Sequence, residues 1–280
     1  MDNIKFRSSS SVCIYLYLQE VEHLCILEMG IVCIDRLLCI GNFFRIILRY
    51  RISFFNCHFN ELIGIEGLNK MFQIAAIDPG KKNFAFTVIS FDLSSADIVL
   101  PKKKDRYNTS TGEPTPLFCD VLQKMWDLPY TIKALENINI ETEDKGTHVG
   151  NNTLCALTNI LDSNTVLWDE CDVILIEKQM GFGKQHNTLG LRIAQHCLSY
   201  FLIRYHKFKP IIEYPAYNKT QILGAPKGMS KPERKKWAVA KAKEIIRCPI
   251  AMEKWASFKK KDDVSDCVCM CFSYLISDLF

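Results

Sequence analysis

A chain of 280 residues with 48% hydrophobic and 24% charged content has ordinary globular composition, and its length suits one or two domains with a sizeable core. The formal charge of +4 is modest, and residues 1–70 hold seven Lys/Arg against seven Asp/Glu, so the excess lies in residues 71–280; an anionic partner is permitted but not required. Thirteen cysteines, odd in number and without a C-x-x-C pair, exclude the zinc-ribbon and thioredoxin patterns and fit a reducing compartment.

Residues 1–70 differ in character from the rest, being rich in Cys, Leu, Ile and Phe with charges at short intervals. They contain no run of about 18 uncharged apolar residues, so no membrane span is expected. The acidic-polar start lacks a secretory pattern, and Glu20, Glu22, Glu28 and Asp35 do not suit a mitochondrial transit peptide. The segment reads as an N-terminal extension of unknown structure: an appended helical piece, or sequence translated from an upstream start that native protein lacks. The functional domain is expected to span 71–280.

Within that domain, "FQIAAID" (72–78) is a short apolar run closed by the turn signal Asp-Pro-Gly, and "FAFTVISF" (84–91) reads as its hairpin partner. A third short strand is expected near "DIVL" (97–100). Residues 101–145 are polar and read as a long loop or insertion. "NNTLCALTNILD" has helical spacing behind an Asn cap, "DVILIE" is the next strand, and a long helix is expected over roughly 188–206. "KPIIEY" (209–214) is a further strand, "KPERKKWAVAKAKEII" (231–246) a helix with Pro in its first turn, and a last helix starts near "DDVSD". Hairpin strands followed by alternating helices and strands predict an α/β domain with a mixed sheet flanked by helices.

Four acids stand out. Asp78 closes the first strand, where turn chemistry alone would explain it. Glu177 closes the strand "VILIE", where a carboxylate beside an apolar run needs pairing or hydrogen bonds. Asp263 and Asp266 are three apart, hence on one helical face, and helix capping explains part of the run Asp262, Asp263, Asp266. The face bearing Asp266 then turns wholly apolar, with Cys267, Cys269 and Cys271 as small buried hydrophobes. Four carboxylates gathered in one place repel one another unless cations sit between them, and hard divalent cations take carboxylate oxygens.

"IDPGKKNFAF", "ILIEKQ" and "KKDDVSDCVCMCF", in that order, resemble the RuvC-type Holliday junction resolvases, most closely the branch found in poxviruses and other large DNA viruses, which has mitochondrial relatives in fungi. The resemblance covers 71–280 and leaves 1–70 unmatched; the stretch 101–145 aligns with no shared element. It implies a ribonuclease-H-like fold, a homodimer, and cutting of four-way DNA junctions by symmetric paired nicks with Mg²⁺ or Mn²⁺, two ions per active site. Carried over by motif, Asp78, Glu177, Asp263 and Asp266 are the catalytic and metal-binding acids, with Asp262 an adjacent register. The implied partners are branched DNA and a second copy of the chain, and the implied location is the cytoplasm at a site of viral replication, with the mitochondrion as alternative.

Basic residues agree with a DNA substrate. Lys81 and Lys82 follow the first acid, Lys259, Lys260 and Lys261 precede the last pair, and Lys227, Lys231, Arg234, Lys235, Lys236, Lys241 and Lys243 cluster in one helix and its lead-in. A solvated helix face explains the last group equally well. Lys184 and Phe182 lie in the glycine-flanked loop "MGFGKQHN", where Phe182 suits stacking on an exposed base. Lys261 is placed to stabilise charge at a scissile phosphate. His186 lies in the loop after Glu177, whereas His196 and His206 read as packed or capping residues. The competing readings are a ribonuclease-H-fold nuclease of another substrate, a junction-binding module without catalysis and, more remotely, an actin-like ATPase, whose second D-x-G loop finds no counterpart here.

Overall fold

The computed structural model describes residues 71–94, 96–140, 149–180 and 187–279, so the expectation for the extension 1–70 lies outside the described residues. Its centre is β1 (Met71–Asp78), in which Ile74, Ala75, Ala76 and Ile77 are all buried. A strand covered on both faces reads as a continuous apolar run, and β2 (Phe84–Asp92) does the same. The two pair antiparallel from Met71↔Asp92 to Asp78↔Ala85. β4 (Val173–Lys178) lies parallel on the other side of β1, and β5 (Ile211–Pro215) parallel beyond it. With β3 (Tyr130–Ile138) antiparallel to β2, the sheet order is β3-β2-β1-β4-β5. This is the mixed α/β sheet flanked by helices that the sequence predicts.

Helices cover both faces. On one lie α2 (Pro116–Asp127), α7 (Lys231–Ile245), α8 (Pro249–Ser257) and α9 (Asp262–Tyr274), which bury Phe118, Met125, Ala238, Trp255 and Phe272 against Ile74, Ala76 and Leu175. On the other lie α3 (Asn151–Ser163), α4 (Thr165–Glu170) and α5 (Thr188–Tyr205), which bring Leu157, Trp168 and Phe201 onto Ala75, Ile77 and Ile176. From Asp263 to Tyr274 every residue of α9 is buried. A helix apolar all round belongs inside a core, and α9 is the central stave of the first face.

Two expectations are corrected. No strand forms at 97–100, and 101–145 is not one long loop: it holds a short turn α1 (Lys103–Arg106), the amphipathic α2, and the third strand β3. β3 ends the sheet among the described residues, and its buried residues Ala134 and Leu135 are consecutive, one on each face, flanked by Lys133 and Glu136. An edge strand with charges on its open side carries little period-2 apolar signal. The signal for α2 was present in Phe118, Val121, Leu122 and Met125, all buried at i, i+3, i+4 and i+7 behind the N-cap Thr115.

Candidate active site

Strand parity sets the direction of the first two acids. Ile74 and Ala76 of β1 and Val173 and Leu175 of β4 face α9, and these pair as Ile74↔Val173 and Ala76↔Leu175. Side chains alternate along a strand, so Asp78 and Glu177 continue the same two rows and point to the same face as neighbours at the carboxyl ends of parallel strands. The first turn of α9 packs there with Asp263 and Asp266, both buried. All four expected acids line one cleft of about 710 Å³. Asp262 points elsewhere, tied to Lys235 and, at 3.6 Å, to Lys260.

The cation that Glu177 meets within the chain is Lys219. This residue sits on α6 (Asn218–Gln221), a short helix just past β5, and its buried ammonium donates to Glu177 Oε1 at 2.6 Å and lies 2.6 Å from Asp266 Oδ2. Sequence reasoning passed over it. The only hint was a lysine following a strand that runs beside Glu177, 42 residues distant in sequence. Gln179 Nε2 donates to Glu177 Oε2 at 3.4 Å, and Asn187, which caps α5, donates in turn to Gln179 Oε1 at 3.4 Å.

The electrostatics of this cluster are lopsided. Burial pushes the Asp78 carboxyl well up, and neighbouring Glu177, with which it shares a hydrogen bond, pushes it further. Burial also opposes ionisation of Glu177, but the Lys219 ammonium and the hydrogen bonds from Asp78, Lys219 and Gln179 outweigh it and keep this carboxyl low. Asp266 is raised to about 6, chiefly by burial, with Lys219 opposing and Glu177 assisting. Burial raises Asp263 too, against the pull of its Lys260 partner. Lys219 is desolvated, yet Asp266, Glu177 and Asp78 hold its pKa well above the ordinary value.

Lys219, with Lys260 at Asp263, thus offsets only part of a crowd of buried carboxyls, and burial favours the protonated forms of Asp78, Asp263 and Asp266. That donor set, all hard oxygen, fits Mg²⁺ or Mn²⁺ and suits softer metals poorly. Among the described residues, no three His, Cys, Asp or Glu side chains stand close enough together to hold a metal ion as they are, because Lys219 lies between Glu177 and Asp266.

The rim of the cleft is basic: Lys81, Lys82, Lys178, Lys231, Arg234, Lys235 and Lys260 line it. Lys235 and Lys260 are half-engaged, bonded to Asp262 and Asp263. Lys227 also lines the cleft, but its Nζ donates to Thr109 O at 2.6 Å. Lys236 is exposed on α7 away from the lining, and Lys261 is turned aside, donating to Phe258 O at 2.7 Å above the Trp255 ring. Lys241 pairs with Glu244. Phe182, Lys184 and His186 lie outside the described residues. His196 meets Thr158 Oγ1 at 2.8 Å between α3 and α5, a packed role as expected.

No protein-family model matches the chain. Two viral proteins do: the uncharacterized protein 97L of invertebrate iridescent virus 3, 30% identical over 212 residues, covering 72% of this chain and 98% of that protein, and the uncharacterized protein 170L of invertebrate iridescent virus 6, 27% identical over 246 residues, covering 75% and 91%. Among solved structures, RuvC of Thermus thermophilus is similar at a TM-score of 0.44 with 10% identity, covering 73% of this chain and 93% of that one; its complex with a Holliday junction substrate gives 0.43 at the same coverage. The chain belongs to the family of the iridescent virus protein 97L.

Proposed function

We propose that residues 71–280 form a divalent-metal-dependent endonuclease that resolves four-way DNA junctions by symmetric paired nicks, acting as a homodimer. The observation that carries this reading is the meeting of Asp78, Glu177, Asp263 and Asp266, from three separate elements, at the floor of a cleft with a basic rim. The ordered motif resemblance supports the junction as substrate. Asp78, Glu177, Asp263 and Asp266 would hold two Mg²⁺ or Mn²⁺ ions, which supply an activated water and neutralise the leaving oxygen of the phosphodiester. The chain's own residues do the rest. Lys219 keeps Glu177 ionised, and Gln179 orients it. Lys82, Lys231 and Arg234 along the cleft lie where backbone phosphates of the duplex arms would run, which gives recognition by branch shape more than by base sequence.

The test is nicking of a labelled four-way junction by the full chain, with Mg²⁺ against EDTA, beside linear duplex and RNA–DNA hybrid, and with Asp263→Asn in parallel. Paired cuts in the junction alone, lost with EDTA and in the variant, are expected. Cutting of the hybrid would reassign the substrate to that of a ribonuclease. One observation favours a second reading: Lys219 already fills part of the space among the acids, as in a junction-binding module without catalysis. Tight junction binding without cutting under either metal would establish that reading instead.

A further inference from the structure

The stretch 107–114 is a closed hairpin: Tyr107 and Pro114 form an antiparallel bridge, Asn108 N donates to Glu113 O at 2.8 Å, and Gly112 N to Asn108 O at 2.8 Å. Its tip is fixed from within by Asn108 Oδ1, which accepts from Ser110 N at 2.9 Å and from Ser110 Oγ at 2.6 Å. An isolated hairpin of this length is marginal, so its position depends on what it rests against. It rests against the wall of the candidate active site.

Three hydrogen bonds join the two. Tyr107 Oη donates to Ile222 O at 2.8 Å, Lys227 N donates to Thr111 O at 2.8 Å, and Lys227 Nζ donates to Thr109 O at 2.6 Å. Two glycines permit the approach. Gly224 has φ +88°, and a Cβ there would run into the Pro114 ring; Gly112 has φ +77°, and a Cβ there would meet the stem of Lys227. Ile222 is the pivot. Its N–H donates to Asn218 O at 3.0 Å and so ends α6, while its C=O accepts from Tyr107. The turn that carries Lys219 into the acids is therefore bonded to the hairpin through one residue.

We propose that the 107–114 hairpin is a positioning element of the site: through Ile222 it sets where the Lys219 ammonium stands among Glu177 and Asp266, and it uses Lys227 as a tie to itself and not as a phosphate ligand. This rests on the nuclease reading only for its effect on rate. The full chain carrying Tyr107→Phe, which removes one hydroxyl and preserves the ring packed on Phe118, is compared with wild type by hydrogen–deuterium exchange, junction binding and single-turnover nicking.

The expected result is about tenfold faster exchange confined to 217–225, with β1 and β4 unchanged; junction affinity within about twofold; and nicking about tenfold slower, one hydrogen bond's worth of order in each case. Gly224→Ala, strained by both φ and the Pro114 ring, should do the same more strongly. Lys227→Met should leave the salt dependence of junction binding unaltered, whereas a lysine that neutralises a phosphate would, once removed, lower the slope by about one. Unchanged exchange at 217–225 overturns the tie, faster exchange with wild-type nicking overturns the positioning role, and a salt slope lowered by about one gives Lys227 back to DNA. If the wild type cuts nothing, the nuclease reading fails, and the exchange and salt measurements still decide the tie.

Discussion

Two lysines of this domain, Lys209 and Lys219, are both buried, and their pKa values move in opposite directions. Lys209 donates to Trp168 O at 2.7 Å and Asp169 O at 2.8 Å, carbonyls at the end of α4, and stands 5.0 Å over the Tyr205 ring. Burial lowers its pKa, against the weaker pull of neighbouring groups. Lys219 is raised well above the ordinary value, because the acids around it outweigh its burial. Carbonyls and a ring satisfy an ammonium's hydrogen bonds at a helix end, which is structural chemistry. Carboxyls in excess of the ammonium are held away from their ordinary pKa values, and such unbalanced burial belongs to sites with a task.

The contrast can be broken most forcefully at the acids. Asp78→Asn and Asp263→Asn should each cut nicking at least about 10³-fold, a loss of several kcal/mol of transition-state stabilisation, while metal-free Asp78→Asn melts higher by about 2–4 °C because a crowded, desolvated carboxyl is gone. A variant that lost activity and stability together would place Asp78 in the structural class with Lys209. Next comes Lys219→Met. Leaving Glu177 and Asp266 without their cation should cost the metal-free protein about 3 kcal/mol at pH 8, by denaturant titration, and millimolar Mn²⁺ should restore most of it.

Lys209→Met sharpens the comparison from the other side. Asp169 O loses the Lys209 donor and Trp168 O keeps only the Cys171 N–H, so about 1 kcal/mol of stability should go with no change in nicking and no recovery on adding metal. The smallest effect is in pH. Asp266 titrates at about 6, so Mn²⁺ affinity measured calorimetrically should weaken as the pH falls below that value, with protons released on binding at lower pH. In the metal-free protein the sign reverses. The fold binds this proton more tightly than the unfolded chain does, so the group's contribution to stability improves as pH falls from about 6 toward about 4.

The four acids and the strands that end in two of them were legible because each sits at a local break: Asp78 and Glu177 close apolar runs, and Asp263 and Asp266 open one. β1, β2, β4, β5 and the helices α3, α5, α7 and α9 lie within two residues of where periodicity puts them. β3 was not legible, since an edge strand with Lys133 and Glu136 alternates too weakly to outrank "DIVL". Lys219 was not legible for a different reason. Its importance comes from the parallel pairing of β5 with β4, which matches Tyr214 to Glu177, and not from any neighbour in sequence. The basic rim was half legible: composition picks out lysines, but only packing shows that Lys261 caps Phe258 and that Lys227 is held by Thr109.

Asp78 ends the first described strand and Asp266 lies in the helix α9, with every other described strand and α-helix between them in the chain. During synthesis the ribosome releases the first of these acids long before the last. A nascent chain therefore carries half of the acid cluster and none of the stave that closes its core, and pairings this distant in sequence form late. The same arrangement makes the site a test of an intact message. A premature stop or an internal frameshift upstream of Asp263 removes two acids together with the helix that seals the sheet, so a truncated copy keeps neither the complete acid cluster nor a closed core.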